Sequence, residues 1–386
     1  MPTYIIAAPT LAARDAVGND ILLEKQAIEE LTGNPVFLYA EHVDPELAGQ
    51  VISERMFLDH LSNPHNVFIY HYCVYWAHLE RYLPSCQAET WIRYHSLTPP
   101  HFFEPYDHAS HYATHMGFEQ LKTLARRFPY VRYLATSQYT ANELHEYGIS
   151  YTKIDRLPPF AHLSDKSSNS LAPHATRSGE LKNLQVLFVG RVVPNKGHLN
   201  LIRVIARYAE LYGNGIQLNI VGSISGQFAA YYREIEKLVT ELNVASLVNF
   251  TGKVSSEELQ RHYRESDVFL CLSEHEGFCV PLLEAQSHGL PVIALNRGAV
   301  GDTLGYQQLV FENFDEAELA TALELVRRKP DIRDYLIEEG RRNLQRFDST
   351  TLKQRLVMLL QAQQAISGQW QIGGEDKKLR ETESLA

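Results

Sequence analysis

The segment Ser273-Glu274-His275-Glu276-Gly277-Phe278-Cys279-Val280-Pro281-Leu282-Leu283-Glu284-Ala285 sets two carboxylates eight positions apart, with a glycine and a proline between them. The apolar run DVFLCLS at 267–273 leads directly into it, so its first half reads as a loop at the carboxyl edge of a strand. Pro281 is pre-set for the first turn of a helix, where its missing N–H is no loss, and Gly289 suits the helix end. A short helix from about Pro281 to His288 follows. Glu276 then lies in the loop and Glu284 roughly one turn inside the helix. Backbone N–H groups near Gly277, together with the helix N-terminus, favour an anion the size of a diphosphate.

Two other readings of this carboxylate pair compete. One is a solvated loop with two surface glutamates, the ordinary outcome for a random pair at this spacing. The other is the acid and base of a glycoside hydrolase. In one continuous helix the two would stand about 12 Å apart by rise, wider than the roughly 5 to 9.5 Å that such pairs use.

A second segment, Phe188-Val189-Gly190-Arg191-Val192-Val193-Pro194-Asn195-Lys196-Gly197, is again a strand running into a loop and then a helix. It fails the phosphate-loop pattern G-x-x-x-x-G-K-[ST], because Asn195 stands where a glycine is needed. What remains is a guanidinium and an ammonium in one phosphate-sized loop. Such a pair would neutralise a departing diphosphate, although either cation alone is more often a surface charge. No G-x-G-x-x-G occurs, which argues against a dinucleotide cofactor.

Histidines crowd the first half. His111 and His115 share one helical face with His108 nearby, a spacing that can bind zinc but lacks the H-E-x-x-H arrangement. The aromatics Tyr70, Tyr72, Tyr75, Trp76, Trp91, Phe102 and Phe103 could stack on a glycan, yet most are better explained as core. Lys122, Arg126, Arg127 and Arg132 lie in or near an amphipathic helix and suggest a local contact with a membrane surface. Residues 1–165 nevertheless hold 11 Lys and Arg against 19 Asp and Glu, which disfavours strong electrostatic docking.

The elements that must position these groups alternate along the chain. After residue 185 come QVLFVG, IQLNIVG (216–222), LVNFTG (247–252), DVFLCLS, LPVIAL (290–295) and LVF (309–311), separated by single helical patterns. Apolar strands without polar alternation, divided by helices, imply a parallel sheet covered on both faces. The first half carries similar runs at 4–9, 35–41, 66–72, 89–96 and 131–137. Residues 163–183 are rich in Ser, Ala and charge and read as a linker. Two such domains face each other across a cleft, with their chemistry on loops that follow strands.

Composition excludes several alternatives. With 386 residues the chain suits two domains, and a net charge of −10 is a poor match for a nucleic-acid binder. Cys73, Cys86, Cys271 and Cys279 form no C-x-x-C pair and read as reduced thiols of a cytoplasmic protein. The N-terminal run has no basic region and too short an apolar stretch for a signal peptide. No segment approaches the roughly 20 apolar residues that span a bilayer. Any contact with the inner membrane face is therefore expected to be peripheral.

Taken together, EHEGFCVPLLEAQSHGLPVIA with its E-x7-E pattern, FVGRVVPNKG, and VNFTGKVSSEEL resemble glycosyltransferase family 4, closely over 185–310 and more loosely before. The resemblance implies an α/β fold of the GT-B type, two doubly wound Rossmann-like domains facing across a cleft. It also implies a retaining, metal-independent enzyme that moves a hexose from a nucleotide-diphosphate sugar to a hydroxyl of a glycan or lipid-linked glycan. The expected boundaries are an acceptor-side domain at 1–165, a linker at 166–180 and a donor-binding domain at 181–348. A returning helix at 349–366 and a mobile tail at 367–386 complete the chain.

Position by position, the resemblance puts Arg191 and Lys196 on the donor diphosphate and Glu284 on the ribose. Glu276 falls beside the transferred sugar, with Gly277, Phe278, Cys279 and Val280 around it. Lys253 and Val254 would border the nucleobase, and Gly222 and Ser223 the same pocket. Residues 12–20, with Gly18 their only glycine, stand where the family has a glycine-rich loop. The stretch 93–107 looks like one from a polysaccharide-building branch, with His95 facing the reacting sugar. No metal and no cofactor is implied. GDP-mannose is the donor placed first, and the oligomeric state stays open. A nucleotide-sugar epimerase, a phosphorylase, or a binding protein without turnover on the same fold are the alternatives.

Overall fold

The computed structural model describes residues 2–13, 15–161, 163, 183–305 and 307–362. The expected linker at 166–180, the last residues of the returning helix and the tail at 367–386 lie outside the described residues.

The chain forms two six-stranded sheets. The first contains β1 (Tyr4–Leu11), β2 (Val36–Val43), β3 (Val67–Tyr72), β4 (Glu89–Tyr94), β5 (Arg132–Ala135) and β6 (Ile154–Arg156), ordered β2-β1-β3-β4-β5-β6. The second contains β7 (Leu184–Val189), β8 (Ile216–Val221), β9 (Val248–Gly252), β10 (Val268–Cys271), β11 (Val292–Leu295) and β12 (Leu309–Phe311), ordered β12-β11-β10-β7-β8-β9. Every pairing is parallel. The architecture is α/β with two doubly wound domains.

Burial explains the apolar runs. All six positions of β3 and all four of both β10 and β11 are buried, since helices cover both faces of each sheet. The sequence reading misses β6. Its three residues Ile-Asp-Arg carry a single apolar side chain and take their order from pairing with β5 at the sheet edge, Tyr133 opposite Ile154.

Each sheet reverses its winding once, between β1 and β3 and between β7 and β10. A crevice opens at such a point because the two flanking crossovers leave on opposite faces. The two crevices take the loops after β1, β3, β7 and β10.

The halves are also bound together beyond the switch-point loops. Phe103, an aromatic of the first half, is buried in the core of the second, its ring centroid 5.6 Å from that of Phe228. Beside it the Tyr106 hydroxyl donates to Glu234 at 2.7 Å, and Gln227 Nε2 donates to Asp107 at 2.8 Å and to Ser110 at 3.0 Å. The helix over 349–362 returns to the first domain, where Leu352, Leu356 and Leu360 pack among Ile6, Ile21 and Ile28. Lys353 pairs with Glu30 at 2.7 Å on the same contact.

Candidate active site

At the C-terminal switch point the loops after β7 and β10 are stitched together. Asn195 accepts the Glu274 N–H at 2.8 Å through its carbonyl and donates from its side-chain amide to the His275 carbonyl at 3.2 Å. Gly197 has φ of 69°, and a Cβ there would lie 1.9 Å from the Leu272 carbonyl oxygen, so only glycine lets the loops approach this closely.

The consequence is that Lys196 Nζ meets Glu276 Oε1 at 2.7 Å. Burial opposes the Lys196 charge, but the Glu276 carboxylate beside it prevails and raises its pKa. Arg191, two residues beyond the end of β7 at Val189, is exposed. Its field reaches the Cys73 thiol of the first domain, which burial pushes up to about 12, with Asp15 adding to the rise and Arg191 opposing it.

The helix after β10 spans Val280–Ser287, one residue ahead of its expected start. Cys279 occupies its N-cap at φ 72° and supplies no side-chain cap, so the first turn keeps its N–H groups uncapped by that residue. Glu284 lies within this helix. Its Oε2 accepts the Tyr263 hydroxyl at 2.7 Å, and burial raises its pKa. The Tyr263 ring is itself stacked on His288, with centroids 4.9 Å apart. Tyr263 escapes sequence reasoning because it sits in the helix Ser256–Glu265, outside any motif.

The remaining residues expected at the donor are distributed around the same rim. Ser223 accepts the Val192 N–H at 3.0 Å and Gly222 donates to the Gly252 carbonyl at 3.1 Å, joining the loops after β7, β8 and β9. Lys253 is exposed, whereas Val254 packs against the buried cluster that holds Leu187 and Tyr263. The Phe278 carbonyl accepts the Thr303 hydroxyl at 2.6 Å.

Gly277 is where the domains meet. A Cβ on it would lie 2.2 Å from the His95 carbonyl oxygen, and its own carbonyl accepts the Ser137 hydroxyl at 3.1 Å. Nearby, Tyr139 N–H donates to Asp302 at 2.8 Å. The motif loop thus lies under the end of β4.

On the N-terminal side, His95 directs its Nε2 inward to His71 Nδ1 at 2.9 Å rather than into the cleft. Gly18 departs from the expected loop. It lies buried in the first turn of the helix Ala16–Thr32, N-capped by Asp15, and a Cβ there would stand 2.1 Å from the Ala12 carbonyl oxygen. Its smallness lets the helix start tight against the β1 loop. The basic patch is also partly used up, because Arg132 lies on β5 and pairs with Asp155 at 2.7 Å while Lys122 pairs with Glu119 at 2.6 Å. His111 Nδ1 contacts the Pro100 carbonyl at 3.2 Å.

Two trios among the described residues have donor atoms within 4.8 Å of one another, Asp20–His71–His95 and Cys271–Glu276–Cys279. Each already faces a resident cation. Arg93 Nε binds Asp20 at 2.5 Å, and Lys196 binds Glu276. A bound metal would have to compete with these charges.

Comparison with known proteins follows the same division. Residues 176–343 match the family model for glycosyl transferases group 1. This segment is similar to the group 1 glycosyltransferases. D-inositol 3-phosphate glycosyltransferase of Geodermatophilus obscurus is 30% identical over 202 residues, 50% of this chain and 45% of that protein. The namesake of Stackebrandtia nassauensis is 35% identical over 144 residues, 36% of this chain and 32% of that protein. The chain spans about half the length, or less, of the curated relatives it matches.

Solved structures resemble nearly the whole chain, across both domains. Anabaena Alr3699/HepE in complex with UDP and glucose superposes with a TM-score of 0.67 at 15% identity, over 92% of this chain and 99% of that one. Sucrose-phosphate synthase from Thermosynechococcus elongatus gives 0.71 at 19%, over 95% and 100%. The fold is GT-B. No helix among the described residues is long and apolar enough to cross a membrane.

Proposed function

We propose that the protein is a retaining glycosyltransferase that moves a hexose from a nucleotide-diphosphate sugar to a hydroxyl of a glycan or lipid-linked glycan. The observation that carries this reading is the Lys196–Glu276 contact at 2.7 Å, which joins the two loops of the C-terminal switch point beneath the His95 end of β4.

Arg191 and Lys196 stabilise the departing nucleoside diphosphate as its charge develops, without a divalent metal at the diphosphate. Lys196 is held for that role by Glu276. The uncapped first turn of Val280–Ser287 adds N–H groups directed at the same anion. Glu284, oriented by Tyr263, binds the ribose hydroxyls, and Glu276 borders the transferred sugar with Gly277, Phe278 and Cys279. Gly222, Ser223, Lys253 and Val254 line the base side, and Gly18 sets the close approach of the first helix. Closure of the cleft brings the acceptor to the anomeric carbon.

The names of similar proteins guide the ligand choice. UDP and glucose in the HepE complex place a UDP-linked hexose beside the GDP-mannose that the sequence reading put first, and the relatives' names add a phosphorylated polyol to the acceptors worth testing. Thermal shift with UDP, GDP, ADP and CMP should single out one nucleotide, since ligand at about 100 times its Kd adds roughly 2.7 kcal/mol of stability. That nucleotide's sugar should then be turned over in the presence of an acceptor. No shift with any nucleoside diphosphate would sink the reading.

A further inference from the structure

Below the N-terminal switch point, five ionisable side chains converge from three elements. Asp20 and Glu24 come from the helix Ala16–Thr32, His71 from β3, and Arg93 and His95 from β4 and the residue beyond it. Asp20, Glu24, His71 and Arg93 are fully buried, and His95 keeps only 9% of its side chain exposed. A buried charge is costly unless its surroundings compensate it, so such a group needs a reason to be there.

Part of the cluster compensates itself. Arg93 donates to both Asp20 oxygens, at 2.5 and 3.0 Å, and to the Pro158 carbonyl at 3.0 Å, while Asp20 also accepts the Phe160 N–H at 2.6 Å. The rest is not closed in this way. Glu24 Oε2 stands 3.2 Å from His71 Nε2 and 3.2 Å from Arg93 Nε, yet neither Glu24 oxygen has a hydrogen bond of good geometry. On its other side His71 reaches His95 Nε2 at 2.9 Å. His95 Nδ1 has no partner among the described residues and is not among the sealed, unsatisfied atoms. Glu24, His71 and His95 therefore form a line from the core to the cleft, ending in one open ring nitrogen.

We propose that His71 is a positioning residue that holds His95 by Nε2, leaves Nδ1 to the transferred sugar, and couples the His95 tautomer to the buried Glu24 carboxyl. This rests on the reading that His95 borders that sugar.

The coupling follows from counting protons. Burial holds both imidazoles down at about 3, His71 opposed by Asp20 and assisted by Arg93, His95 lowered further by His71 and Arg93, so both rings are neutral. Two neutral rings share one hydrogen at their contact. With Glu24 ionised, the His71 proton sits on Nε2 facing that carboxylate. His71 Nδ1 then accepts from His95 Nε2–H, and His95 Nδ1 offers a lone pair to a sugar hydroxyl. When Glu24 takes up a proton from solvent, it donates to His71 Nε2, the order reverses, and His95 Nδ1 becomes a donor. Burial lifts the Glu24 carboxyl to about 7, against the pull of Arg93. The other charges facing the line are Asp20, 3.8 Å from His71 Nδ1 and 3.7 Å from His95 Nε2, and Arg93.

A direct test uses the full chain labelled with ¹⁵N-histidine. Long-range ¹H–¹⁵N spectra distinguish the tautomers, and His95→Gln identifies the His95 signals. At pH 8 His95 should carry its hydrogen on Nε2, and lowering the pH to 6 should move it toward Nδ1. In Glu24→Gln that movement should vanish. In turnover assays His71→Leu should lower kcat by on the order of tenfold or more with the donor KM nearly unchanged, while His71→Asn, which keeps an amide in place of Nδ1, recovers most of the loss. A His95 tautomer indifferent to Glu24→Gln and His71→Asn in folded protein overturns the proposal. Wild-type kcat in His95→Gln would instead overturn the role of His95 at the sugar, leaving the spectra to judge the coupling.

Discussion

At the C-terminal switch point one member of the charged pair stays partly exposed, Lys196 at 23%, while its partner Glu276 is buried. At the N-terminal one, Asp20, Glu24, His71 and Arg93 have no exposure at all. The same kinds of group therefore serve different ends. A half-open ammonium can exchange its carboxylate partner for an incoming anion at modest cost. A sealed guanidinium cannot, and its pairing with Asp20 fixes how the first helix, β4 and the segment at Pro158–Phe160 sit relative to one another.

The largest expected effect breaks the sealed side. Arg93→Met should destabilise the protein by about 3 to 5 kcal/mol, because it leaves Asp20 buried without its counter-charge. Lys196→Met should cost clearly less stability and should lose donor affinity instead. Denaturant titration of both variants measures the contrast, and equal losses would erase the distinction between the two switch points.

Next comes the open side. Glu276→Gln should reduce kcat by about 10² to 10³, roughly 2.7 to 4 kcal/mol, if the carboxylate stabilises positive character at the anomeric carbon. Saturating donor and acceptor on folded protein are the conditions for this measurement. Unchanged kcat would remove Glu276 from the reacting centre.

These two predictions also mark what the sequence displays and what it conceals. The switch-point loops after β7 and β10 are legible because their chemistry is local: Arg191, Lys196, Glu276 and Glu284 lie in short runs whose strand, turn and helix signals agree. Both sheets are legible for a similar reason, since β3, β10 and β11 are buried throughout and read as unbroken apolar runs. The buried line of Glu24, His71 and His95 is not, because His71 is one polar residue in an otherwise apolar strand and its partners lie 47 and 24 positions away. Phe103 shows the same limit. Nothing local to it signals that its ring packs against Phe228 in the other domain.

A smaller effect should come from Glu284→Ala. Its hydrogen bonds to the ribose would exist in the ground and transition states alike, so their loss should appear mainly as a raised donor KM with kcat nearly kept. Tyr263→Phe should shift KM in the same direction but by less, since it removes only the hydroxyl that orients the carboxylate at 2.7 Å. A pure kcat loss in Glu284→Ala would move this residue from the ribose to the reacting sugar.

The smallest expected effect concerns His198, fully buried at the start of the helix His198–Tyr212 and in edge contact with Phe188. Burial lowers its pKa to about 3, and Lys196 lowers it further. In the unfolded chain the same imidazole titrates near 6.5. Between those values the unfolded state binds a proton that the folded state refuses, so stability is present above pH 6.5 and is lost as the pH falls toward 3. The loss from this one group is about 2 kcal/mol between pH 7 and pH 5. Other buried groups titrate over the same range, with Glu24 and Glu143 both lifted to about 7 and acting in the opposite sense, so only a difference measurement isolates it. Melting temperatures of wild type and His198→Gln, recorded from pH 7 to pH 5, should converge as the pH falls, the variant losing less. Parallel curves would mean that His198 is charged in the folded protein or stays neutral in both states, and that Lys196 does not raise the cost of protonating it.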